Sequence, residues 1–263
     1  MPPLAQAALL GIVQGLTEFL PISSTAQLLI VEKLIGFDDP GGLFTVMIQL
    51  GSILAVVWLY RAKILEVLAG LPSDPEARRF AFKVILATVP SLVAGGLFSS
   101  YVKRVLYTTL TVAAVAFIIG GIIMLIVERF RPVPDVQTVD ELPLGRALAV
   151  GAFQALALIP GVSRSGGTIV AAMAMKVERA AAAEFTFFLA MPTMAAAFAH
   201  DLLELRHGVG PSRGPEIAVG FVMAFLGALL VVKPFLNYVR RRGFAPFAWY
   251  RIVLGAILLA TGL

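Results

Sequence analysis

The sequence lacks cysteine altogether and is poor in charge, and each shortage excludes a class of protein. Without cysteine the chain can form no disulfide, no thiolate metal site and no cysteine nucleophile. Only 14% of the residues are charged, against about 25% in an ordinary soluble domain. The first residues, Met1 to Gln6, include no basic region, so we expect no cleaved signal peptide.

Long apolar runs fill most of the 263 residues. Hydrophobic residues make up 59% of the chain, and the mean hydropathy is +0.91. The runs at 44–60, 108–127 and 216–232 each approach the roughly 20 residues needed to cross about 30 Å of hydrocarbon. A net charge of +5 also suits nucleic-acid binding, but basic loops between spans explain it better. We therefore predict a membrane protein.

The chain contains a weak internal repeat. Residues 11–25 (GIVQGLTEFLPISST) resemble residues 151–165 (GAFQALALIPGVSRS), with a glycine, a glutamine and a proline in the same order before a hydroxyl-rich turn. Residues 44–53 (FTVMIQLGSI) and 185–194 (FTFFLAMPTM) then follow at nearly equal spacing. Order, spacing and turn chemistry together indicate a duplication.

Each half is predicted to contain one interrupted segment and three spans, and the odd number of spans inverts the second half. The fold class is an all-α polytopic membrane protein with an inverted-topology repeat, six transmembrane helices and two re-entrant helix pairs. The polar linker 131–143 joins a first repeat, 1–130, to a second, 144–263, within one membrane domain. The predicted elements are the broken segments 4–35 and 146–176 and the spans 44–60, 80–98, 108–127, 184–200, 216–232 and 246–262.

Loop charge orients this topology. Thirteen basic residues fall on one side and five on the other, so the richer side is predicted to be cytoplasmic and both termini to face out. The two broken segments then enter from opposite faces and their tips meet near the midplane. The poorer side holds Lys33, Lys103, Arg104, Arg206 and Arg213.

The first break carries a carboxylate and a hydroxyl cluster. Gln14 and Glu18 are four residues apart and so share a helix face. Pro21 is predicted to end that helix, and residues 23–25 to begin the next, where free N–H groups and the helix dipole attract an anion. For Ser23, helix capping is an equally good interpretation.

The second break, 160–168 (PGVSRSGGT), repeats the device. A Pro-Gly turn opens it, Ser163 and Ser165 are candidate caps, and two glycines let the backbone approach a ligand. Arg164 adds a fork of N–H donors that is costly in a membrane without an anionic partner. Two helix N-termini, a guanidinium and hydroxyls favour a phosphate ligand. The alternative is a purely structural ion pair between Glu18 and Arg164.

Residues 14–28 (QGLTEFLPISSTAQL) and 160–169 (PGVSRSGGTI) closely resemble the two signature regions of the bacterial undecaprenyl-diphosphate phosphatases of the bacitracin-resistance family. The resemblance continues through 48–57, 184–192 and 247–252, nearly the whole chain. It implies a multi-pass enzyme of the bacterial inner membrane that removes the terminal phosphate of undecaprenyl diphosphate and recycles the lipid carrier for cell-wall synthesis. It also implies a site that opens outward and uses a divalent cation, Mg²⁺ or Ca²⁺.

The resemblance implies roles for individual residues. Glu18, Ser24 and Arg164 would be catalytic, with Ser24 the nucleophile and Glu18 also a metal ligand. The expected substrate-binding residues are Gln14, Ser23, Thr25, Gln27, Ser163, Ser165 and Thr168.

Gln27 departs from the family, which usually has histidine at this position. Glutamine cannot exchange a proton near neutral pH, and a serine is a poor nucleophile without a base. Three accounts stay open: Glu18 is the base, a metal-bound hydroxide attacks instead, or the chain is an impaired variant.

Two other functions compete with hydrolysis. Inverted repeats with broken helices also build lipid flippases and secondary transporters, and Gln27 is compatible with a non-catalytic scaffold that binds lipid phosphates. The expected partners are undecaprenyl diphosphate and membrane lipids, without nucleic acid. The sequence leaves the oligomeric state open, a homodimer included.

Overall fold

The computed structural model describes residues 1–39, 42–105, 110–205 and 213–261. Within these ranges the chain is helical, with turns and one isolated β-bridge between Val136 and Val177 and no strand. Arg206, counted above with the outward loops, lies outside the described residues.

Eleven α-helices follow one another in the described ranges, with a short 3-10 helix, Ala155–Leu158, after the seventh. They are α1 Pro3–Thr17, α2 Ser24–Ile35, α3 Leu43–Leu59, α4 Arg61–Gly70, α5 Pro75–Val105, α6 Leu110–Phe130, α7 Leu144–Gln154, α8 Arg164–Ala174, α9 Arg179–Leu205, α10 Gly214–Arg242 and α11 Ala245–Thr261.

Several helices are long and apolar enough to cross a membrane. Segments of α5, α6, α9 and α10 qualify alone, and α3 with α4, bent by 70°, makes a fifth candidate. At 17 residues, α11 belongs with the shorter apolar helices. The all-helical, membrane-spanning class is thereby confirmed at four or five candidate spans in the described ranges.

Both predicted breaks are present. The helices beside them have 15, 12, 11 and 11 residues, too short to cross a bilayer singly. The first helix ends at Thr17, ahead of Pro21, and a turn fills the gap before Ser24. Helices α5 and α10 extend beyond the predicted spans into charged residues at their ends. Helix α4 was not predicted.

A short helix of each half packs against a long helix of the other half. Helix α1 packs on α10 of the second half, and α7 packs on α5 of the first. A Cβ on Gly11 would lie 2.3 Å from the Gly220 carbonyl oxygen, and one on Gly151 would lie 1.8 Å from that of Ala87. These repeat-related glycines therefore sit where two backbones touch, a contact that small residues permit in membranes.

An aromatic cluster holds the first break against the second half. The Phe19 ring meets the Phe187 ring of α9 edge-on at 5.3 Å between centroids, and Phe80 of α5 meets Phe188 at 5.1 Å. Phe19 and Phe187 are fully buried. The turn that carries Glu18 is thus anchored by ring packing on α9.

The linker between the halves is tied down by a buried lysine. Lys83 of α5 is 1% exposed, and its Nζ donates to the carbonyl oxygens of Asp140 at 2.8 Å and Val139 at 3.3 Å. Sequence analysis did not select Lys83, although a cation inside an apolar run is a usable signal.

Gly151→Ala tests the close helix contact. The added methyl would overlap the Ala87 carbonyl, so we expect roughly 1–3 kcal/mol of destabilisation and a lower midpoint of thermal unfolding in detergent. On Gly145 of the same helix, an added Cβ would have nothing within 4 Å, so Gly145→Ala is the matched control and should unfold at or above the wild-type temperature. Equal midpoints for the two variants would contradict the contact.

Candidate active site

Ser23 precedes α2 in a strained conformation. Its backbone has φ 63° and ψ 87°, in the left-handed region that residues other than glycine seldom occupy. Although it holds the N-cap position, its side chain makes no capping hydrogen bond. The capping interpretation is therefore wrong for Ser23, which lines a cavity.

The second break is capped as predicted by one of its two serines. Ser163 Oγ accepts a hydrogen bond from the Gly166 backbone N–H at 3.0 Å. Ser165 does not cap the helix; its Oγ donates to the Leu20 carbonyl oxygen at 2.8 Å. Ser165 thereby joins the second break directly to the turn of the first.

Glu18 is the point where the two breaks meet. Its Oε1 accepts from Arg164 Nη2 at 2.7 Å, and its Oε2 accepts from Gln14 Nε2 at 2.8 Å and from Ser24 Oγ at 2.5 Å. The Glu18 and Arg164 side chains are 6% and 15% exposed. A carboxylate, a guanidinium and a hydroxyl are thus assembled from residues 146 positions apart in the chain.

A cavity of about 170 Å³ opens at this ion pair. Six of its ten lining residues were predicted site residues. Gln49 of α3 and Met194 of α9 were not predicted, although an amide within an apolar span is a signal for Gln49. The lining comprises Glu18, Ser23, Ser24, Thr25, Gln49, Ala157, Val162, Ser163, Arg164 and Met194.

Three predicted binding residues lie behind the cavity wall. Gln14 Nε2 donates to Glu18 Oε2, and Gln14 Oε1 is buried with no partner in the described structure. Thr168 Oγ1 donates to the Arg164 carbonyl oxygen at 2.9 Å, and Ser165 bonds to the first turn. These contacts orient the residues that face the cavity.

Gln27 is turned away from the cavity. Its Nε2 donates to the Ile22 carbonyl oxygen at 3.2 Å, and its Oε1 accepts from the Tyr250 hydroxyl at 2.8 Å. The residue is 8% exposed. Both ends of the amide are therefore engaged, and the residue that does contact Ser24 Oγ is Glu18.

A family profile described as "Bacitracin resistance protein BacA" matches residues 7–257. The chain belongs to the BacA family. The resemblance drawn from the two motifs is thereby confirmed.

Curated relatives in the BacA family align along nearly their whole length. "Undecaprenyl-diphosphatase" of Cereibacter sphaeroides is 49% identical over 97% of this chain and 95% of its own. "Undecaprenyl-diphosphatase 1" of Agrobacterium fabrum is 47% identical over the same shares. "Undecaprenyl-diphosphatase" of Paracoccus denitrificans is 46% identical over 97% of this chain and 96% of its own.

The BacA-family site offers oxygen ligands but no protein cage for a metal. Among the described residues, no three His, Cys, Asp or Glu side chains cluster. Glu18 is the carboxylate of the cavity, and the other oxygen-bearing lining residues include Ser23, Ser24 and Thr25. Such a set fits a hard cation that takes one carboxylate and completes its shell with phosphate oxygens and water.

The ion pair can be tested by its non-additivity. Glu18→Gln leaves the Arg164 guanidinium buried without a carboxylate, and we expect a loss of roughly 3–5 kcal/mol. Adding Arg164→Met should recover part of that loss, because both charges are then absent. Thermal unfolding in detergent of the two single variants and the double variant gives the coupling.

The exposed pair Lys63–Asp140, at 3.0 Å with side chains 30% and 54% exposed, is the control. Lys63→Gln should cost at most about 1 kcal/mol. Strictly additive effects of the Glu18 and Arg164 substitutions would contradict a coupled buried pair.

Proposed function

We propose that this protein hydrolyses undecaprenyl diphosphate to undecaprenyl phosphate and inorganic phosphate, and so recycles the lipid carrier for cell-wall synthesis. Relatives named for this activity align over nearly the full chain. The observation that carries the proposal is the contact of Ser24 Oγ with Glu18 Oε2 beside the Arg164 guanidinium, at the wall of one cavity. Transfer of a phosphoryl group requires a nucleophile, a proton acceptor and a positive charge, and here Ser24, Glu18 and the Arg164 guanidinium would supply them.

The proposed topology is an inverted repeat of 1–130 and 144–263, with six spans and two re-entrant pairs. The exchanged packing of α1 on α10 and of α7 on α5 supports it, as does the matching pair of contact glycines. The loop charges support an orientation in the bacterial inner membrane with both termini and the site facing out.

Substrate binding would draw on the donors at both breaks. Arg164 Nη1 is buried without a partner among the described residues, so one arm of the guanidinium is available while the other holds Glu18. Ser23 and Thr25 line the same cavity, and α2 and α8 direct their N-terminal N–H groups toward the breaks. A diphosphate matches this set through charge-assisted hydrogen bonds.

In the proposed reaction, Ser24 Oγ attacks the terminal phosphorus and its proton passes to Glu18 Oε2. The new Oγ–P bond forms as the anhydride P–O bond breaks, and undecaprenyl phosphate leaves with the bridging oxygen. A water then attacks the phosphoserine, the Oγ–P bond breaks, and Glu18 returns its proton to Ser24 Oγ, which releases inorganic phosphate carrying the two protons of the water and restores both side chains. The substrate's negative charge competes with Glu18 for Arg164, and this competition frees the carboxylate to act as a base.

The residue that would hold a divalent cation is Glu18, whose carboxylate lines the cavity. Bound there with the substrate, Mg²⁺ or Ca²⁺ would neutralise charge on the phosphoryl oxygens.

Phosphate release from undecaprenyl diphosphate by the purified protein in detergent tests the function. We expect turnover with Mg²⁺ or Ca²⁺ and its loss in EDTA, restored when the cation is returned. Ser24→Ala should fall to background because the attacking oxygen is gone. Ser52→Ala is the matched control: Ser52 is fully buried in α3 and bonds to the Ile48 carbonyl oxygen of its own helix.

Absence of phosphate release from wild-type protein would overturn the proposal. In that case, movement of the lipid across liposomes would favour a flippase, and binding without either activity a scaffold. Equal turnover by the Ser24→Ala and wild-type proteins would remove Ser24 as the nucleophile.

Gln27→His tests whether the missing histidine limits the reaction. Because Gln27 bonds to Tyr250 and Ile22 while Glu18 contacts Ser24, we expect kcat to change little. Glu18→Gln should instead lower kcat by about 10²- to 10⁴-fold, as for loss of a general base. A large gain on introducing histidine would show that Glu18 does not serve as the base.

A further inference from the structure

Arg251 contacts both breaks at once. It lies in α11, is 2% exposed, and belongs to the motif 247–252, to which no role was given. Its Nη1 donates to the Pro21 carbonyl oxygen at 3.2 Å, and its Nη2 donates to that of Gly161 at 3.1 Å. Pro21 is in the turn between α1 and α2, and Gly161 is in the turn before α8. One planar guanidinium therefore links the two irregular turns.

The carbonyl groups it binds need such a donor. Pro21 and Gly161 lie outside the helices, so helix hydrogen bonding does not satisfy their carbonyl oxygens. Nη2 also donates to the Ala116 carbonyl oxygen of α6 at 3.2 Å. Among the described residues Arg251 has no carboxylate within ion-pair distance, so its charge is balanced by carbonyl dipoles. A lysine offers no comparable planar fork.

The surroundings fix the guanidinium in place. A Cβ on Gly120 of α6 would lie 2.3 Å from Nη2, and one on Gly166 of α8 would lie 3.1 Å from Nη1. The Phe117 ring is 5.5 Å from the guanidinium carbon. The absence of side chains at two glycines thus leaves the space that Arg251 fills.

The Glu18–Arg164 link between the breaks is exposed to the substrate, whereas Arg251 and the Ser165–Leu20 hydrogen bond are not. The Glu18–Arg164 pair lines the cavity, and an incoming diphosphate competes for it. Arg251 is absent from the cavity lining. Its hydrogen bonds can therefore persist when the ion pair opens.

We propose that Arg251 is a positioning residue. It holds the turn between Glu18 and Ser24 in a fixed position relative to the turn before Arg164, so that residues at both turns can bind one diphosphate throughout the reaction. The consequence for rate rests on the proposed function; the structural role does not.

Kinetics of Arg251→Gln and Arg251→Lys test the consequence. Loss of register should lower kcat by about 10²-fold, the cost of displacing reacting groups by roughly 1 Å, with a smaller change in KM. Arg251→Lys should recover part of the loss. Lys83→Gln is the matched control, because Lys83 is an equally buried cation bonded to backbone carbonyls away from the cavity; its kcat should stay near wild type.

A distance measurement tests the structural role without turnover. The chain has no native cysteine, so Leu34→Cys in α2 and Leu156→Cys beside the second break, 70% and 47% exposed as leucines, accept spin labels without disturbing the core. We expect Arg251→Gln to broaden the distribution of label distances, and Lys83→Gln to leave it unchanged. If no variant and no wild-type sample releases phosphate, the proposed function fails while this measurement still decides the role of Arg251.

Gly120→Ala covers the case in which Arg251→Gln does not fold. Its methyl displaces the guanidinium but keeps the charge, so the distribution should again broaden and kcat should fall. The proposal would be overturned if Gly120→Ala and Arg251→Lys both kept the wild-type distance distribution and the wild-type kcat. It would also be overturned if Arg251→Gln gave the same distance distribution and the same kcat as Lys83→Gln.

Discussion

The Glu18–Arg164 ion pair is the interaction on which the site depends. Each residue would be an uncompensated charge in an apolar setting without the other, and each belongs to a separate break in the helical scaffold. Their pairing brings two irregular turns, with their free N–H groups and hydroxyls, to the same cavity. In the proposed mechanism a diphosphate competes for the same guanidinium, so the contact that assembles the site is also the one that substrate binding would alter.

Two arginines contact these turns in different ways. Arg164 faces the cavity and has a free Nη1 within the described structure, whereas Arg251 lies behind the turns with both terminal nitrogens bonded to carbonyl oxygens. Close packing of α1 on α10 and of α7 on α5 supplies the rigid frame around them. If the proposed reaction opens the ion pair, the hydrogen bonds of Arg251 still connect the two turns away from the cavity lining.

The glutamine at position 27 has a local explanation. It bridges the Ile22 carbonyl and the Tyr250 hydroxyl, and so braces the first turn against α11. The Ser24 hydroxyl is oriented instead by Glu18. The departure from the usual family residue therefore leaves the Ser24 hydroxyl with an adjacent acceptor.

Local sequence patterns were sufficient to predict the membrane class, the two breaks and two charged residues of the site. Apolar run length predicted the membrane class, proline and hydroxyl clusters located both breaks, and charges in apolar surroundings identified Glu18 and Arg164. Tertiary structure decided the left-handed backbone of Ser23, the turning of Gln27 toward Tyr250, and the partners of Arg251, which lie 90 and 230 residues away. Helix ends respond to their immediate neighbours, whereas the direction of a buried polar side chain depends on which distant carbonyl or hydroxyl the packed helices bring within reach.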